Sequence, residues 1–274
     1  MLNIPDTAFI HSPIFGDDGS IAFRCSSDTD RWPWLRLDPQ HPILVQTINY
    51  WASIETAHLR GTIDPDKWSA LTETEWSCGL KGAGRPVRGV AELHGDEASP
   101  GYGLAFFDAD DALVHRMTGT GVVFKTRDFE AWRDKARSKM RVPPAPEGFV
   151  FAPAEAIGVV EQGWSFISPL IDEDIPSANG LITKANGFPP IHPYLSGSGD
   201  HVNSTHLVEA GRQFASLLSG GQSLRIMGGE MRFTRYVELG YPFHVQLVDR
   251  SADEISMMIS QAEKPCTAIT LRTN

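Results

Sequence analysis

Residues 192–213 hold the side chains best suited to chemistry in this chain. A histidine can take up or release a proton near neutral pH, which makes His201 a candidate general base. Asn203 and Ser204 follow it closely, and both are residue types that cap the N-terminus of a helix. The first turn of such a helix presents unpaired backbone N–H groups and the positive end of the helix dipole, which stabilise negative charge on an oxygen. This stretch therefore combines a base with an anion-stabilising helix end.

The histidines of this stretch do not form a zinc-binding pattern. His192, His201 and His206 are separated by eight and four residues, and no helical His-Glu-x-x-His motif is present. The cysteines are three scattered residues without Cys-x-x-Cys spacing. We therefore expect neither a metal site nor a cofactor.

A helix and a set of strands must position these side chains. Apolar residues at helical spacing predict a helix over residues 205–218, and Gly220 and Gly221 end it. The first half of the chain has a similar helix over residues 42–59. Strand-like runs follow the two helices at 75–80, 87–93, 102–107 and 119–124, and at 230–237, 243–248, 254–260 and 266–271. A long helix followed by antiparallel strands, occurring twice, predicts an α+β double hotdog, in which a curved sheet wraps each helix.

A proline-rich segment separates the two predicted repeats. Residues 141–148 contain three prolines, which exclude a helix interior or a central strand and are typical of a stiff spacer. We therefore predict a first hotdog repeat over residues 1–141, a linker over residues 142–154 and a second hotdog repeat over residues 155–274.

Glu209 and Arg212 lie three residues apart on the second predicted helix, whose other positions are largely apolar. On the central helix of a hotdog both charges should be buried, and burying a charge is costly unless it is paired. An ion pair between them is the minimum explanation. Alternatively, Glu209 acts as a base and Arg212 binds a carbonyl, carboxylate or phosphate oxygen of a ligand. The sequence leaves both possibilities open.

Several motifs resemble those of the A-factor (γ-butyrolactone) synthase family. The resemblance covers most of the chain and is strongest in its second half. His192-Pro193, Asp200-His201-Val202 and the Glu-Ala-Gly-Arg-Gln run at 209–213 are similar to three of the family's motifs. The run Phe-Thr-Arg-Tyr-Val-Glu-Leu at 233–239 resembles the family's Phe-x-Arg-Phe-Val-Glu-Leu strand. Asn203 departs from the pattern, since the family usually has proline there.

This resemblance implies an enzyme that transfers an acyl group from an acyl carrier protein to a small hydroxyl acceptor, in natural-product or signalling-molecule biosynthesis. It implies catalytic roles for Glu209, Arg212 and His201. Substrate-binding roles are expected for the other motif residues and for their counterparts in the first repeat: Asn203, Gln213, Gln46, Asn49 and Tyr50. Because the first helix lacks the Glu and Arg of the motif, we expect a single working site around the second helix.

Two other functions fit the same fold. His201-Val202-Asn203 also resembles the His-Val-Asn of small thioesterases, so the chain could be a hotdog thioesterase, or a dehydratase, acting on an acyl thioester of a carrier protein or coenzyme A. A non-catalytic ligand-binding protein is the third possibility. A buried Glu–Arg pair argues against it, because a lipid-binding tunnel needs no such pair.

Charge and hydropathy limit the partners of the chain. Its net charge of −10 makes nucleic acid a poor partner. No apolar run is long enough to cross a membrane, and the N-terminus lacks the pattern of a secretory signal, so we expect a cytoplasmic protein. The stretch from Lys125 to Arg141 is locally basic, with seven basic against three acidic residues. It is a candidate docking surface for an acyl carrier protein, or else a solvated helix face. The expected state is a monomer or a homodimer.

Overall fold

A computed structural model describes residues 8–62, 69–95, 100–123, 128–140, 147–159, 164–183, 185–186 and 201–274. The chain divides into two compact units, Met1–Phe129 and Glu130–Asn274. This division falls before the predicted linker, so residues 130–141 belong to the second unit. Residues 141–146 of the proline-rich segment lie outside the described ranges, and the predicted limits of the two repeats and the linker stay predictions.

The first unit combines one long helix with an antiparallel sheet. Helix α1, Pro42–Leu59, lies where the sequence predicts it; His41 caps it, since its Nδ1 accepts a hydrogen bond from the N–H of Ile43 at 3.2 Å. In its described part the sheet has the order β1-β2-β4-β5-β6-β3, with all neighbours antiparallel. These strands are β1 (Ile10–Phe15), β2 (Ile21–Cys25), β3 (Ser69–Cys78), β4 (Arg88–Gly95), β5 (Pro100–Phe107) and β6 (Leu113–Val123).

The second unit also combines a long helix with an antiparallel sheet. It contains helix α2 (Phe129–Met140, apart from its first residue) and the long helix α3, Ser204–Leu218, again as predicted. The strands of its sheet follow the order β9-β13-β12-β11-β7, and two short strands, β8 and β10, pair separately. The strands are β7 (Ser177–Gly180), β8 (His201–Val202), β9 (Ile226–Phe233), β10 (Val237–Glu238), β11 (Phe243–Arg250), β12 (Glu254–Gln261) and β13 (Lys264–Thr273). None of the helices in the described ranges has the length and hydropathy of a membrane-crossing helix.

A tight turn sets the register of the last two strands. Ala262 and Glu263 both have positive φ, 50° and 60°, and they connect Gln261 to its pairing partner Lys264. Two successive positive φ angles are typical of the two-residue hairpin turn whose twist matches that of the strands. Side chains then alternate along β12, so that Ile255, Met257 and Ile259 are buried on one face.

Helix α3 is buried on all its sides. Every residue from Thr205 to Ser216 is buried. Gly211 permits a close approach to the sheet, because a Cβ atom there would lie 3.1 Å from Met257 Sδ and 3.4 Å from Ile269 Cδ1. A polar side chain on this helix therefore has to find its partners inside the protein.

Each long helix also holds the backbone of a segment that carries a Phe-Ile pair. The carboxylate of Glu55 on α1 accepts hydrogen bonds from the N–H groups of Phe9 and Ile10, both at 2.7 Å. In the second unit, Gln213 Oε1 on α3 accepts from the N–H of Phe166 at 2.9 Å. Burial raises the pKa of Glu55, and the two N–H donors partly counter this effect. The Phe-Ile pair occurs at 9–10 and again at 166–167, so the two units repeat this contact as well as the order of helix and strands.

His115 on β6 is a fully buried histidine of the first unit. Its ring packs on Phe106, with ring centroids 4.7 Å apart. Among the described residues, neither of its ring nitrogens has a hydrogen-bond partner. Burial lowers the pKa of His115 to about 3, so the side chain is neutral in the folded protein.

We expect His115 to make the fold sensitive to acid. The unfolded chain takes up this proton near pH 6.5 and the folded chain only near pH 3, so the stabilisation is complete above pH 6.5 and is lost as the pH falls below it. Between pH 7.5 and pH 5.0 the free energy of unfolding should fall by about 2 kcal/mol on account of this group. His115→Phe should remove that part of the loss in urea unfolding at the two pH values. His58→Phe, at an exposed position on α1, is the control, and an unchanged pH dependence in His115→Phe would contradict the prediction.

Candidate active site

The N-terminus of α3 is capped by Asn203, one of the two residues that the sequence offered for this role. Its Oδ1 accepts from the N–H of His206 at 3.2 Å and lies 2.6 Å from His206 Nδ1. Ser204 is instead the first residue of the helix. His201 directly precedes Val202 on β8, so the candidate base stands two residues before the cap.

His206 is neutral in this arrangement. It is fully buried, and burial lowers its pKa to about 3. An amide oxygen can only accept, so His206 Nδ1 carries the proton that is shared with Asn203 Oδ1. His206 therefore adds no charge to the start of α3, and the backbone N–H groups and the dipole remain the source of positive potential there.

His201 lies in a cluster that the sequence did not reveal. Its ring is 4.5 Å from that of Tyr236, and the guanidinium of Arg133 lies over the same tyrosine ring at 4.3 Å. Arg133 also forms a buried ion pair with Glu238, which Arg137 joins through its Nε at 3.1 Å. Tyr236 and Glu238 belong to the motif at 233–239, and the arginines lie four residues apart on α2, but no sequence signal links the two segments.

Glu209 and Arg212 form the expected ion pair. Arg212 Nε donates to Glu209 Oε2 at 2.8 Å and Nη2 donates to Oε1 at 2.7 Å, with both side chains buried. Gln213 Nε2 donates to the same Oε1 at 3.0 Å. Burial alone would lower the pKa of Arg212, but the charge and hydrogen bonds of Glu209 raise it, so the guanidinium stays charged.

This network also holds the chain segment packed against α3. Arg212 Nη2 donates to the carbonyl oxygens of Ile157 and Gly158, at 3.3 and 3.2 Å. Gln213 Nε2 donates to the carbonyl oxygen of Trp164 at 2.8 Å. A scaffold role, in which Glu209, Arg212 and Gln213 hold this segment against α3, is therefore enough to explain why all three side chains are buried. The catalytic roles of Glu209 and Arg212 and the binding role of Gln213 stay predictions.

The first-repeat candidates lie on α1. Gln46 and Asn49 are buried, whereas Tyr50 is partly exposed. Asn49 Nδ2 donates to the hydroxyl oxygen of Tyr102 at 2.9 Å. Within the part of the chain that the structure describes, Gln46 Nε2 and Asn49 Oδ1 make no hydrogen bond. A buried donor and a buried acceptor one turn apart suit a polar ligand group, and substrate binding by these residues stays a prediction.

The basic stretch at 125–141 divides between two environments. Arg133 and Arg137 turn toward Glu238, while Lys135, Lys139 and Trp132 are exposed on α2. Lys125, Arg127 and Arg141 lie outside the described ranges, as do His192 and Asp200. Across the described ranges, no group of three or more His, Cys, Asp or Glu side chains is arranged to hold a metal ion.

No protein-family model and no curated protein matches the sequence. Solved structures do match, over nearly the full length of the chain. An acyl-ACP thioesterase from Bacteroides thetaiotaomicron aligns with a TM-score of 0.55 and 13% identity, over 93% of this chain and 97% of the other. The 12:0-ACP thioesterase from Umbellularia californica gives 0.52 and 11%, over 93% and 96%. The CurJ dehydratase gives 0.54 and 12%, over 97% and 96%.

The fold is an α+β double hotdog. Both units contribute a long helix and an antiparallel sheet to it, as the sequence predicts. At these identities the likeness establishes the hotdog fold alone, and it does not single out the A-factor synthase family.

The contacts of Arg212 favour a scaffold role over the catalytic role predicted from the sequence, and two variants decide between these roles. Arg212→Met alone should lower the free energy of unfolding by about 3–5 kcal/mol, because it leaves Glu209 charged, buried and without its cation. Combining it with Glu209→Gln should restore most of that stability and keep turnover of an acyl thioester within about tenfold of wild type. Thermal melts and rate assays of both variants measure this, with Arg232→Met on the exposed side of β9 as the control. A double variant that melts like wild type but loses more than about a hundredfold in turnover would show instead that Arg212 contacts the substrate.

Proposed function

We propose that this chain is an enzyme that processes acyl thioesters, and that its reaction is hydrolysis. One observation carries the proposal: His201 stands two residues before the capped N-terminus of the buried helix α3. The hotdog fold supports it, because two of the matching structures are named acyl-ACP thioesterases and a third is named a dehydratase. The similarity of His201-Val202-Asn203 to small thioesterases points the same way.

The proposed chemistry uses the helix end and the histidine together. The thioester carbonyl lies at the N-terminus of α3, where N–H groups and the dipole polarise it and stabilise the oxyanion. His201 takes a proton from water as the water oxygen bonds to the carbonyl carbon. The carbon–sulfur bond then breaks, and the proton passes to the departing thiolate. The products are a carboxylic acid and a free thiol.

Hydrolysis is favoured over dehydration because the carboxylates of the long helices are already engaged. Glu209 is bonded to Arg212 and Gln213, and Glu55 is bonded to the backbone of β1 and its preceding residue. A dehydratase needs a carboxyl or histidine group to return a proton to the departing hydroxyl as well as a base. Hydrolysis can proceed with one histidine that passes its proton to the thiolate.

Acyl transfer to a small hydroxyl acceptor is the second candidate. The similarity of residues 192–213 and 233–239 to A-factor synthases favours it. The oxyanion and the departing thiolate are the same as in hydrolysis, and only the acceptor differs, since a hydroxyl replaces water. The same resemblance implies that Gln46 and Asn49 bind substrate, and within the described residues Gln46 Nε2 and Asn49 Oδ1 make no hydrogen bond that would compete with this role.

Product analysis separates these reactions. The chain is incubated with a panel of acyl-carrier-protein thioesters, with and without dihydroxyacetone phosphate, and the products are identified by mass spectrometry. We expect free acid under both conditions. An ester formed only with the acceptor would establish transfer, a product lighter by one water would establish dehydration, and no product from any thioester would favour a binding protein.

His201→Gln should lower kcat/KM for the hydrolysed thioester by about 10²–10⁴-fold, because it removes the general base while keeping a polar side chain of similar size. The melting temperature should remain near that of wild type, since His201 is only partly buried. His94→Gln, at a half-exposed position on β4, controls for the loss of a histidine. Full activity in His201→Gln would contradict the proposed role of His201.

The exposed face of α2 is the proposed docking surface for an acidic carrier protein. Trp132, Lys135 and Lys139 are exposed on it, whereas Arg133 and Arg137 are engaged with Glu238. Attraction between opposite charges on two such surfaces speeds association, and it weakens as added salt screens the charges.

Reversing both lysines, with Lys135→Glu and Lys139→Glu, should raise KM for a carrier-protein thioester by about tenfold or more and leave kcat unchanged. KM for the corresponding coenzyme A thioester should not change, because the carrier protein is then absent. Lys264→Glu, at the exposed first residue of β13, is the matched control. Equal effects on both substrates would place the lysines in thioester binding instead of protein docking.

A further inference from the structure

The ring of Tyr236 contacts both an imidazole and a guanidinium. Its ring centroid is 4.5 Å from that of His201, at an interplanar angle of 55°. It also carries the guanidinium of Arg133, whose Cζ is 4.3 Å from the same ring centroid. The tyrosine thus connects the candidate base on β8 to a cation on α2.

Arg133 is held in one orientation. Its Nη1 and Nη2 donate to the two carboxylate oxygens of Glu238 at 3.0 and 2.9 Å, and both side chains are more than nine-tenths buried. Arg137 Nε lies 3.1 Å from Glu238 Oε2, so a second cation shares the carboxylate. A bidentate pair fixes the plane of the guanidinium, and that plane then supports the tyrosine ring by a cation–π contact.

Hydrogen bonds also fix the backbone of β10, the strand that pairs with His201 and Val202. In the short sheet of β8 and β10, His201 pairs with Glu238 and Val202 pairs with Val237. Gln261 on β12 accepts from the N–H of Glu238 at 2.7 Å, and its Nε2 donates to the carbonyl oxygen of Glu238 at 3.3 Å. The segment opposite His201 is therefore anchored to the main sheet of the unit.

We infer that Tyr236, supported by Arg133, is a positioning residue for His201. The inference rests on the proposed function of His201 as the base. His201 itself sits on a strand of two residues and is only partly buried, so the backbone by itself does not fix the rotamer of its ring. An aromatic ring in contact with the imidazole at this tilted angle restricts the rotamers of the imidazole and holds it near the attacking water.

Three variants test the inference. Tyr236→Leu removes the ring and should lower kcat by about tenfold or more, while KM stays within about threefold, because misplacing a base slows chemistry without weakening substrate binding. Tyr236→Phe keeps the ring and should retain kcat within about twofold. Tyr241→Leu, which removes a partly exposed tyrosine of the same unit, is the matched control. A loss in KM alone, or equal losses in the Leu and Phe variants at position 236, would overturn the inference.

A double-mutant cycle separates this inference from the proposed function. If Tyr236 acts through His201, Tyr236→Leu should have no further effect in a His201→Gln background. Additive losses would overturn the positioning role and leave the proposed role of His201 intact. Full activity in His201→Gln alone would overturn the proposed function itself.

A spectroscopic readout does not depend on activity. In wild-type protein with labelled histidine, the nearby tyrosine ring should shift the imidazole proton resonances of His201 by its ring current. Tyr236→Leu should abolish that shift, and Tyr236→Phe should preserve it. His201 resonances that are unchanged in Tyr236→Leu would show that the two rings are not in contact in solution and would overturn the inference.

Discussion

The burial of α3 on all sides is the constraint from which the features of the second unit follow. A buried polar group costs free energy unless it is hydrogen-bonded, and a buried charge costs more unless it is also paired. Glu209, Arg212 and Gln213 meet this requirement together, and their remaining hydrogen bonds reach the carbonyl groups of residues 157, 158 and 164. His206 meets it by staying neutral and sharing a proton with the cap, Asn203. The motif on this helix is thus first a solution to burial.

The first unit meets the same constraint with different residues. On α1 a single carboxylate, Glu55, pairs with two backbone N–H groups, and no cation is needed because both donors point at it. Nearer the start of α1, Gln46 and Asn49 are neutral amides, which are much cheaper to bury than ions. The two long helices therefore share a fold but differ in chemistry, and the first carries no ionised pair at the positions that match Glu209 and Arg212.

Near His201 two arginines share one carboxylate, whereas on α3 a single arginine pairs with a single glutamate. Arg133 and Arg137 share one carboxylate, Glu238, which lies opposite His201 in the pairing of β8 and β10. Arg137 is partly exposed and also approaches Asp134, so α2 reaches from solvent to the tyrosine beside the histidine. A helix that the sequence marks only as a basic stretch thereby becomes part of the site, while two of its lysines remain available at the surface.

Local signals in the sequence determined the helices at 42–59 and 205–218 and the residues at which they end. They also determined the α+β class and the pairing of Glu209 with Arg212. These features depend on residues close together in the chain, where periodicity, capping and charge spacing act directly. The repeated order of one long helix and a set of strands also led to the double hotdog. Tertiary structure decided which groups lie near His201. Tyr236, 35 residues away, lies beside it in the pairing of β8 with β10, and Arg133, 68 residues away on α2, contacts Tyr236 and Glu238. It also decided that Arg212 and Gln213 donate hydrogen bonds to the carbonyl groups of residues 157, 158 and 164. No local pattern in the sequence says which backbone groups a buried side chain will reach once the sheet closes around its helix.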